Sequence, residues 1–322
     1  MMAFGLIALI AGAASALMFA SIVSGALISL VLVCLAPLPL MLAAIAWGPL
    51  CGAIGGLAAM LVIGGALSMP LALGYGLAIA LPAWWLGHLA MLGRSVTDGT
   101  AVAEATALHV EWYPLGRILL WIAALATLLT AGSLLSLGTD ASAIGDAMRR
   151  GFARIFSLVS DTTVTESDPR VSLMVAVTPV LVAASQMTTL TLNLWLAAKV
   201  AAVSGKLHRP WPDLSSTSLP PMTLVALCVA LAFSFSGGMI GILAVIVTTV
   251  LMVAYALIGL AVLHTITRDL ANRGFWLAAA YAIIFMFSVS LVLLTALGLA
   301  DAVFGFRERY LRSRQPPPLP TP

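Results

Sequence analysis

The chain has 322 residues, of which 62% are hydrophobic and only 8% are charged, and its formal net charge at pH 7 is +3. Soluble domains carry about 25% charged residues, so this composition excludes a soluble globular protein. The basic excess is small and no basic face alternates with aromatic residues, which excludes a nucleic-acid partner. No charged side chain precedes Arg94, and apolar runs of about 18 residues or more are typical of transmembrane helices.

Polar and charged segments divide the chain into apolar stretches that we interpret as membrane helices. A membrane-spanning helix needs about 20 residues at a rise of about 1.5 Å each. The predicted stretches are 3–33, 36–47, 49–68, 70–92, 117–138, 171–203, 219–236, 240–265 and 275–302. Residues 36–68 form either two short helices broken at Gly48-Pro49, which we favour, or one helix kinked by proline. The sequence therefore predicts an all-α fold, a polytopic transmembrane helix bundle of eight to nine spans with one interfacial amphipathic helix.

We expect residues 1–303 to form a single transmembrane domain that ends with three C-terminal spans at 219–302. The tail at 304–322 is basic and then Pro-rich, and its end, QPPPLPTP, is predicted to be disordered. The start, MMAFGLIALI, lacks the positive charge of a signal peptide, so we interpret it as a first membrane helix. The tail arginines favour a cytoplasmic C-terminus, and we expect a multi-pass protein in the lipid bilayer of the bacterial cytoplasmic (inner) membrane.

The segment at 142–159 has the pattern of an amphipathic helix. Apolar residues recur at helical spacing, and the charged residues lie on the other side; these are Asp146, Arg149, Arg150 and Arg154. A helix of this kind lies in the plane of the membrane interface. It is either a connector that rests on lipid headgroups or a gate over a substrate cavity.

Small residues form two ridges with a spacing of four. Gly48, Gly52 and Gly56 make one ridge, and the first helix carries the other, at Ala8, Gly12, Ala16, Ala20 and Ser24. Helices in lipid associate through the close backbone contact that small residues allow. Both ridges are therefore predicted to be helix contact faces, used either for packing inside the chain or for binding a partner protein.

The stretch LPLMLAAIAWGPLCGAIGG, from Leu38 to Gly56, resembles the substrate-capture (S) subunits of energy-coupling-factor vitamin transporters. The matching positions are Pro39, Leu42-Ala43, Gly48-Pro49, Gly52 and Gly56. The resemblance implies that residues 1–92 are S-subunit-like spans, and that Gly12, Ala16 and Ala20 match the ridge by which such subunits dock on a membrane coupling subunit. The chain departs from that family in having about three more helices than its six, and in having Met60 where an acid is frequent.

Over the whole chain, the sequence resembles the YybS-like family of bacterial membrane proteins, which has no established activity. The resemblance lies in EWYPLGR at 111–117, in NLWLAAKVAAVSGKLHRPWPDL at 193–214 and in GLADAVFGFR at 298–307. A distant relation of that family to the capture subunits implies a transport hypothesis at the level of the fold alone.

Two polar clusters are candidate solute-binding sites. Gln186, Thr189 and Asn193 share one helix face and could bind a neutral or zwitterionic solute, or could hydrogen-bond a neighbouring helix. Trp84 and His88 lie one turn apart and could line a pocket for a ring, or could belong to an interfacial aromatic belt.

No recognisable catalytic set is present, so we expect no enzyme, no cofactor and no metal site. The nearest match to a P-loop, VAAVSGKL, lacks the first glycine and the final Ser or Thr. The four histidines are too dispersed for a metal site. The first functional hypothesis is binding or transport of a small solute within the bundle, coupled through a membrane partner or an ion gradient. The alternative is a membrane scaffold or assembly factor that binds partner proteins through its small-residue faces.

Overall fold

A computed structural model describes residues 2–96, 109–160, 162–213, 217–286 and 289–312. The described chain is almost entirely helical, and several of its helices are long and apolar. The predicted all-α membrane helix bundle is therefore confirmed. One short antiparallel hairpin is present, in which β1 (Gly93–Val96) pairs with β2 (His109–Trp112).

The helices follow one another with short connections. The first seven are α1 (Met2–Ala20), α2 (Leu27–Leu35), α3 (Pro37–Trp47), α4 (Pro49–Ala66), α5 (Met69–Tyr75), α6 (Leu81–Ala90) and α7 (Leu115–Leu135). The remaining seven are α8 (Ala141–Ser160), α9 (Pro169–Val203), α10 (Met222–Phe233), α11 (Gly238–Ile266), α12 (Arg273–Met286), α13 (Val289–Phe304) and α14 (Phe306–Arg312). A π-helical turn at Gly76–Ala80 joins α5 to α6.

The first predicted stretch, 3–33, is two helices instead of one. The chain turns at Gly25, which has a φ of 67°, and α2 then continues into α3 as one apolar run of 21 residues, Leu27–Trp47. Ala36 separates α2 from α3, and Pro37 begins α3, while the apolar character of the run continues across this junction. The break predicted at Gly48-Pro49 is present: Gly48 has a φ of 102° and separates α3 from α4.

Seven helical segments in the described chain are long and apolar enough to cross a membrane. Three shorter apolar helices lie at Met222–Phe233, Arg273–Ile284 and Leu291–Phe304. At about 1.5 Å per residue, helices of this length fall short of a hydrocarbon core of about 30 Å. The prediction of eight to nine spans therefore stays a prediction, because it depends on whether the shorter helices cross the membrane.

The chain separates into two compact units. The first contains Met1–Ser133 and Ser185–Pro212, and the second contains Leu134–Ala184 and Asp213–Pro322. The helix α9 contributes its first half to the second unit and its second half to the first. The compactness of each unit does not decide how many domains the membrane part has, so the single domain predicted for 1–303 stays a prediction.

In the first unit, α1 and α4 meet at backbone distance. A Cβ placed on Gly12 would collide with the carbonyl oxygen of Gly55, and a Cβ on Gly55 would lie 2.7 Å from the carbonyl oxygen of Ala8. The two small-residue ridges therefore contact each other through Gly55, which the four-residue spacing of Gly48, Gly52 and Gly56 does not include. Small residues allow this close approach, and the van der Waals contact that it creates stabilises helix association in lipid.

The predicted ridge residues on α4 have other contacts within the same unit. A Cβ on Gly52 would lie 2.9 Å from Ala44 Cβ, and a Cβ on Gly56 would lie 3.0 Å from Ala80 Cβ. Gly48 has no described atom within 4 Å of that position, so its role is the turn between α3 and α4. On α1, Ala16 is buried and Ala20 is half-buried.

In the second unit, α11 and α13 cross at a second glycine contact. A Cβ on Gly259 would collide with the Leu294 carbonyl oxygen, and a Cβ on Gly298 would collide with the Tyr255 carbonyl oxygen. Thr295 Oγ1 adds a hydrogen bond of 3.1 Å to the Met252 carbonyl. These contacts hold α13 against the long helix α11.

The end of α13 is held by a buried ion pair. Arg307 Nε donates to Asp301 Oδ2 at 2.7 Å, and the Arg307 backbone N–H donates to Asp301 Oδ1 at 2.9 Å. The side chains are 5% exposed for Asp301 and 7% exposed for Arg307. The basic start of the tail is thus helical, as α14, whereas the Pro-rich residues 315–322 lie outside the described part.

The amphipathic segment predicted at 142–159 is the helix α8, Ala141–Ser160. Asp140 precedes its first turn and accepts the Ala143 backbone N–H at 2.8 Å and the Ser142 hydroxyl at 2.6 Å. These two hydrogen bonds, the backbone one first, lower the pKa of Asp140, so its carboxylate caps the helix. Ile144 and Met148 are buried while Arg150 is exposed, as the pattern predicted.

The first prediction concerns the contact between α1 and α4. Gly12→Leu would force the two backbones apart, and overpacking of this kind costs about 1–3 kcal/mol or more. Gly5→Leu is the matched control, because it lies on the same helix with no described atom within 4 Å of its Cβ position. Thermal unfolding in detergent should show a lower melting temperature for Gly12→Leu alone. Equal melting temperatures for the two variants would contradict the contact.

The second prediction concerns the position of α8. A charge at mid-bilayer costs at least about 2.5–3.5 kcal/mol, so the arginine face should keep this helix at the interface. In a variant without native cysteines, new cysteines at Arg150 and at Ser160 should both react with an impermeant thiol reagent added to the same side of the membrane. Labelling from opposite sides would show that α8 crosses the membrane.

Candidate functional site

The candidate residue Asn193 is buried in the first unit, where its side chain is 1% exposed. Its Nδ2 donates to the Cys34 carbonyl at 2.8 Å and to the Thr189 carbonyl at 2.8 Å. Its Oδ1 is buried with no hydrogen-bond partner among the described residues. The amide nitrogen therefore bonds the backbone of α2 and of its own helix, while the amide oxygen has no hydrogen-bond donor among the described residues.

Side chains from α1 and α9 bond to backbone carbonyls at the junction of α2 and α3. Asn193 donates to the Cys34 carbonyl, and Ser15 Oγ donates to the Ala36 carbonyl at 2.6 Å. In hydrocarbon, a backbone carbonyl can find a hydrogen-bond donor only within the protein. The two hydrogen bonds therefore connect α1 and α9 to this junction.

Tyr75 completes this buried polar group. Its hydroxyl lies 2.7 Å from Ser15 Oγ, and both side chains have no exposed surface. The ring of Phe19 packs edge-on against Tyr75, with ring centroids 5.3 Å apart. Side chains from α1, α5 and α9 thus meet around the bend between α2 and α3.

The other two members of the predicted solute-binding face are half-buried. Thr189 contributes its backbone carbonyl to Asn193, and Gln186 lies two helical turns before Asn193 on the same helix. The geometry of Asn193 favours the structural alternative for that residue. The solute-binding hypothesis for Gln186, Thr189 and Asn193 stays a prediction.

The second candidate cluster has Trp85 at its centre instead of Trp84. The Trp85 ring lies 6.0 Å from the His88 ring and 5.1 Å from the Trp121 ring, centroid to centroid. Trp84 contacts only the Trp85 ring among the ring contacts described, at 5.8 Å. Trp85 Nε1 is buried with no partner in the described chain. The spacing of one helical turn predicted that Trp84 would lie beside His88. In the structure, the ring beside His88 is that of Trp85.

Two cations, one in the last turns of α9 and one in the loop after it, pack on aromatic rings. Arg209 donates to the Ala90 carbonyl at 3.1 Å, at the end of α6, and lies 5.9 Å from the Trp112 ring. Burial lowers the pKa of the Arg209 guanidinium. Lys199 lies 5.0 Å from the Trp211 ring. Aromatic rings and long cations of this kind are typical of the membrane interface, so this end of the first unit has the character of an aromatic belt.

A cavity of about 390 Å³ lies in the second unit. Its walls are the first half of α8, residues 175–179 of α9 and residues 236–245 around the start of α11. The volume is within the range of about 300–1,000 Å³ for small-molecule sites, which are concave and mostly apolar. The cavity is partly open, because Ala176, Ser236 and Gly238 in its wall are exposed, and α8 forms one of its sides.

The polar groups of the cavity wall are few. Arg149 is held by a hydrogen bond of 2.8 Å from its Nη2 to Asp146 Oδ1, and Ser236 Oγ donates to the Phe233 carbonyl. Pro179 lies inside α9 and leaves the carbonyl of Val175 without its helical N–H, and both residues line the cavity. An apolar pocket with a few fixed polar groups can bind an amphiphilic molecule.

Sequence reasoning missed this cavity because it is assembled from three separate segments. Each segment carried a signal that was weak alone: the amphipathic pattern of α8, the internal Pro179, and the glycines of SGGMIG at 236–241. Among the described residues, no cluster of three or more His, Cys, Asp or Glu side chains could hold a metal ion. The expectations of no metal and no cofactor stay predictions.

The third prediction concerns Asn193. Asn193→Leu would remove the side-chain donor from the Cys34 carbonyl, and the loss of a hydrogen bond costs about 0.5–1.5 kcal/mol. The variant should melt at a lower temperature in detergent, whereas Leu192→Ala, on the exposed face of the same helix, should change stability less. A variant as stable as the wild type would contradict a structural role for the amide.

Comparison with known proteins places the chain in a family. No curated protein and no solved structure matches it. The model of a family described as predicted membrane protein, DUF2232, matches residues 13–302, which is most of the chain. The chain therefore belongs to the DUF2232 family of predicted membrane proteins.

Proposed function

We propose that this membrane protein binds a small amphiphilic solute in the cavity of its second unit, as part of a transport function. The observation that carries the proposal is the cavity itself, whose volume of about 390 Å³ and apolar walls are those of a small-molecule site. The proposal moves the solute site from the face of Gln186, Thr189 and Asn193 to the space between α8, α9 and α11.

The helix α8 is suited to cover such a site. Its buried residues Ile144 and Met148 line the cavity, and its exposed face carries Arg150 and Arg154. The polar face of an amphipathic helix at the interface stays in contact with headgroups and water when the helix moves, whereas Ile144 and Met148 would lose their present contacts. We expect α8 to open toward the interface when solute enters or leaves.

The resemblance of residues 38–56 to capture subunits supports a solute-binding function, although a likeness of fold is a weak argument for function. A membrane coupling protein stays a proposed partner on the same grounds. We propose no catalytic step, and the bacterial inner membrane is the proposed location.

The scaffold alternative has less support. It requires small-residue faces that are open to a partner protein, whereas Gly12, Gly52 and Gly56 are already packed against helices of the same unit. A partner could still bind elsewhere, but no described contact favours one position over another.

The fourth prediction tests the cavity. Purified protein would be screened by thermal shift against vitamins, metabolites and membrane-soluble amphiphiles. A solute at a hundredfold excess over its dissociation constant should stabilise the protein by about 2.7 kcal/mol. Ala176→Phe, which places a ring in the cavity, should remove that stabilisation.

The matched control is Leu173→Phe, an exposed position on α9 outside the cavity wall. This variant should keep the full response to the solute. The proposed function is wrong if Ala176→Phe responds like the wild type, because the solute then binds elsewhere.

A further inference from the structure

The cavity wall contains a single type of charge. Of the residues that line the cavity, Arg149 is the one with a charged side chain, and the others are apolar apart from Ser236. No carboxylate lies in the wall. A cation beside apolar walls is complementary to a ligand that has an apolar body and an anionic head.

The Arg149 guanidinium lies beside Gly145 on α8. A Cβ placed on Gly145 would be 3.3 Å from Arg149 Nη2, so the guanidinium lies close to the helix backbone. Gly145 and Arg149 both line the cavity. The positive charge is therefore at the cavity wall.

The partner that Arg149 already has does not neutralise it strongly. The side chains of Arg149 and Asp146 are 39% and 52% exposed, and an ion pair as exposed as this one contributes little. Guanidinium has five N–H donors, and within the described chain its one hydrogen bond is to Asp146. Donors remain for a carboxylate or phosphate, which guanidinium binds through two parallel hydrogen bonds.

We propose that the cavity binds a single-chain anionic amphiphile, with its carboxylate or phosphate head on Arg149 and its chain against α9 and α11. This inference rests on the proposed function and names its ligand class. The volume of about 390 Å³ is near the lower end of small-molecule sites, which favours one short chain over the two chains of a phospholipid. The charge of α8 supports the same ligand, because one Asp and three Arg give this helix a net charge of +2.

The experiment uses the full chain in nanodiscs of phosphatidylcholine, with dodecyl phosphate as the probe. Dodecanol is the neutral amphiphile of equal chain length, and inorganic phosphate is the head alone. Binding followed by thermal shift should be at least about tenfold tighter for dodecyl phosphate than for dodecanol, and phosphate alone should give no shift. A tenfold change corresponds to about 1.4 kcal/mol.

The variants assign the preference to one side chain. Arg149→Gln should weaken dodecyl phosphate binding about tenfold and leave dodecanol unchanged, and Arg149→Lys should restore part of the affinity as a point charge. Arg154→Gln, on the exposed side of α8 and outside the cavity wall, is the matched control and should bind as the wild type does. An equal loss in Arg154→Gln would overturn the inference, because the effect would then come from surface charge.

The remaining outcomes separate this inference from the proposed function. If dodecanol and dodecyl phosphate bind equally and Ala176→Phe abolishes both, the cavity is a solute site and the anionic head is wrong. If Ala176→Phe leaves both ligands bound, the proposed function and the inference both fail. A shift from inorganic phosphate alone, or from phosphatidylglycerol in the nanodisc through Arg149, would identify a free anion or a two-chain lipid and overturn the single-chain ligand.

Discussion

In hydrocarbon, every backbone N–H and C=O must find its partner within the protein, and in the first unit side chains meet part of this requirement at the junction of α2 and α3. Pro37 and Pro39 each lack a helical N–H there. Ser15 and Asn193 donate to backbone carbonyls of the same junction. These hydrogen bonds connect α1 and α9 to α2 and α3, so four helices meet at one position.

Glycine contacts determine how closely pairs of helices pack. Gly12 with Gly55 in the first unit, and Gly259 with Gly298 in the second, bring backbone atoms within reach of each other. Van der Waals contact at this range is the main source of helix association in lipid. Helices packed this closely leave little space for a solute between them. The cavity beside α8 is therefore the place in the second unit that we propose for a solute.

The features predicted from the sequence are those that one segment carries alone. The long apolar helices, the helix break at Gly48-Pro49 and the amphipathic helix α8 each depend on residues that are close in sequence, and the structure contains all three. The partners of Asn193 and Gly12 are not local: Cys34 is 159 positions from Asn193, and a spacing of four does not reveal that Gly55 faces α1. The cavity was missed for the same reason, because α8, α9 and the start of α11 must fold together before it exists.

The buried pair of Asp301 and Arg307 has a consequence for how the protein responds to salt. Mobile ions screen interactions between exposed charges over a Debye length that falls from about 8 Å at physiological ionic strength to about 3 Å at 1 M, but they screen buried pairs much less. The exposed pair of Arg94 and Glu111, 3.4 Å apart, therefore weakens as ionic strength rises. The junction of α13 and α14 keeps its ion pair in concentrated salt, so this corner of the second unit is insensitive to the ionic composition of its surroundings.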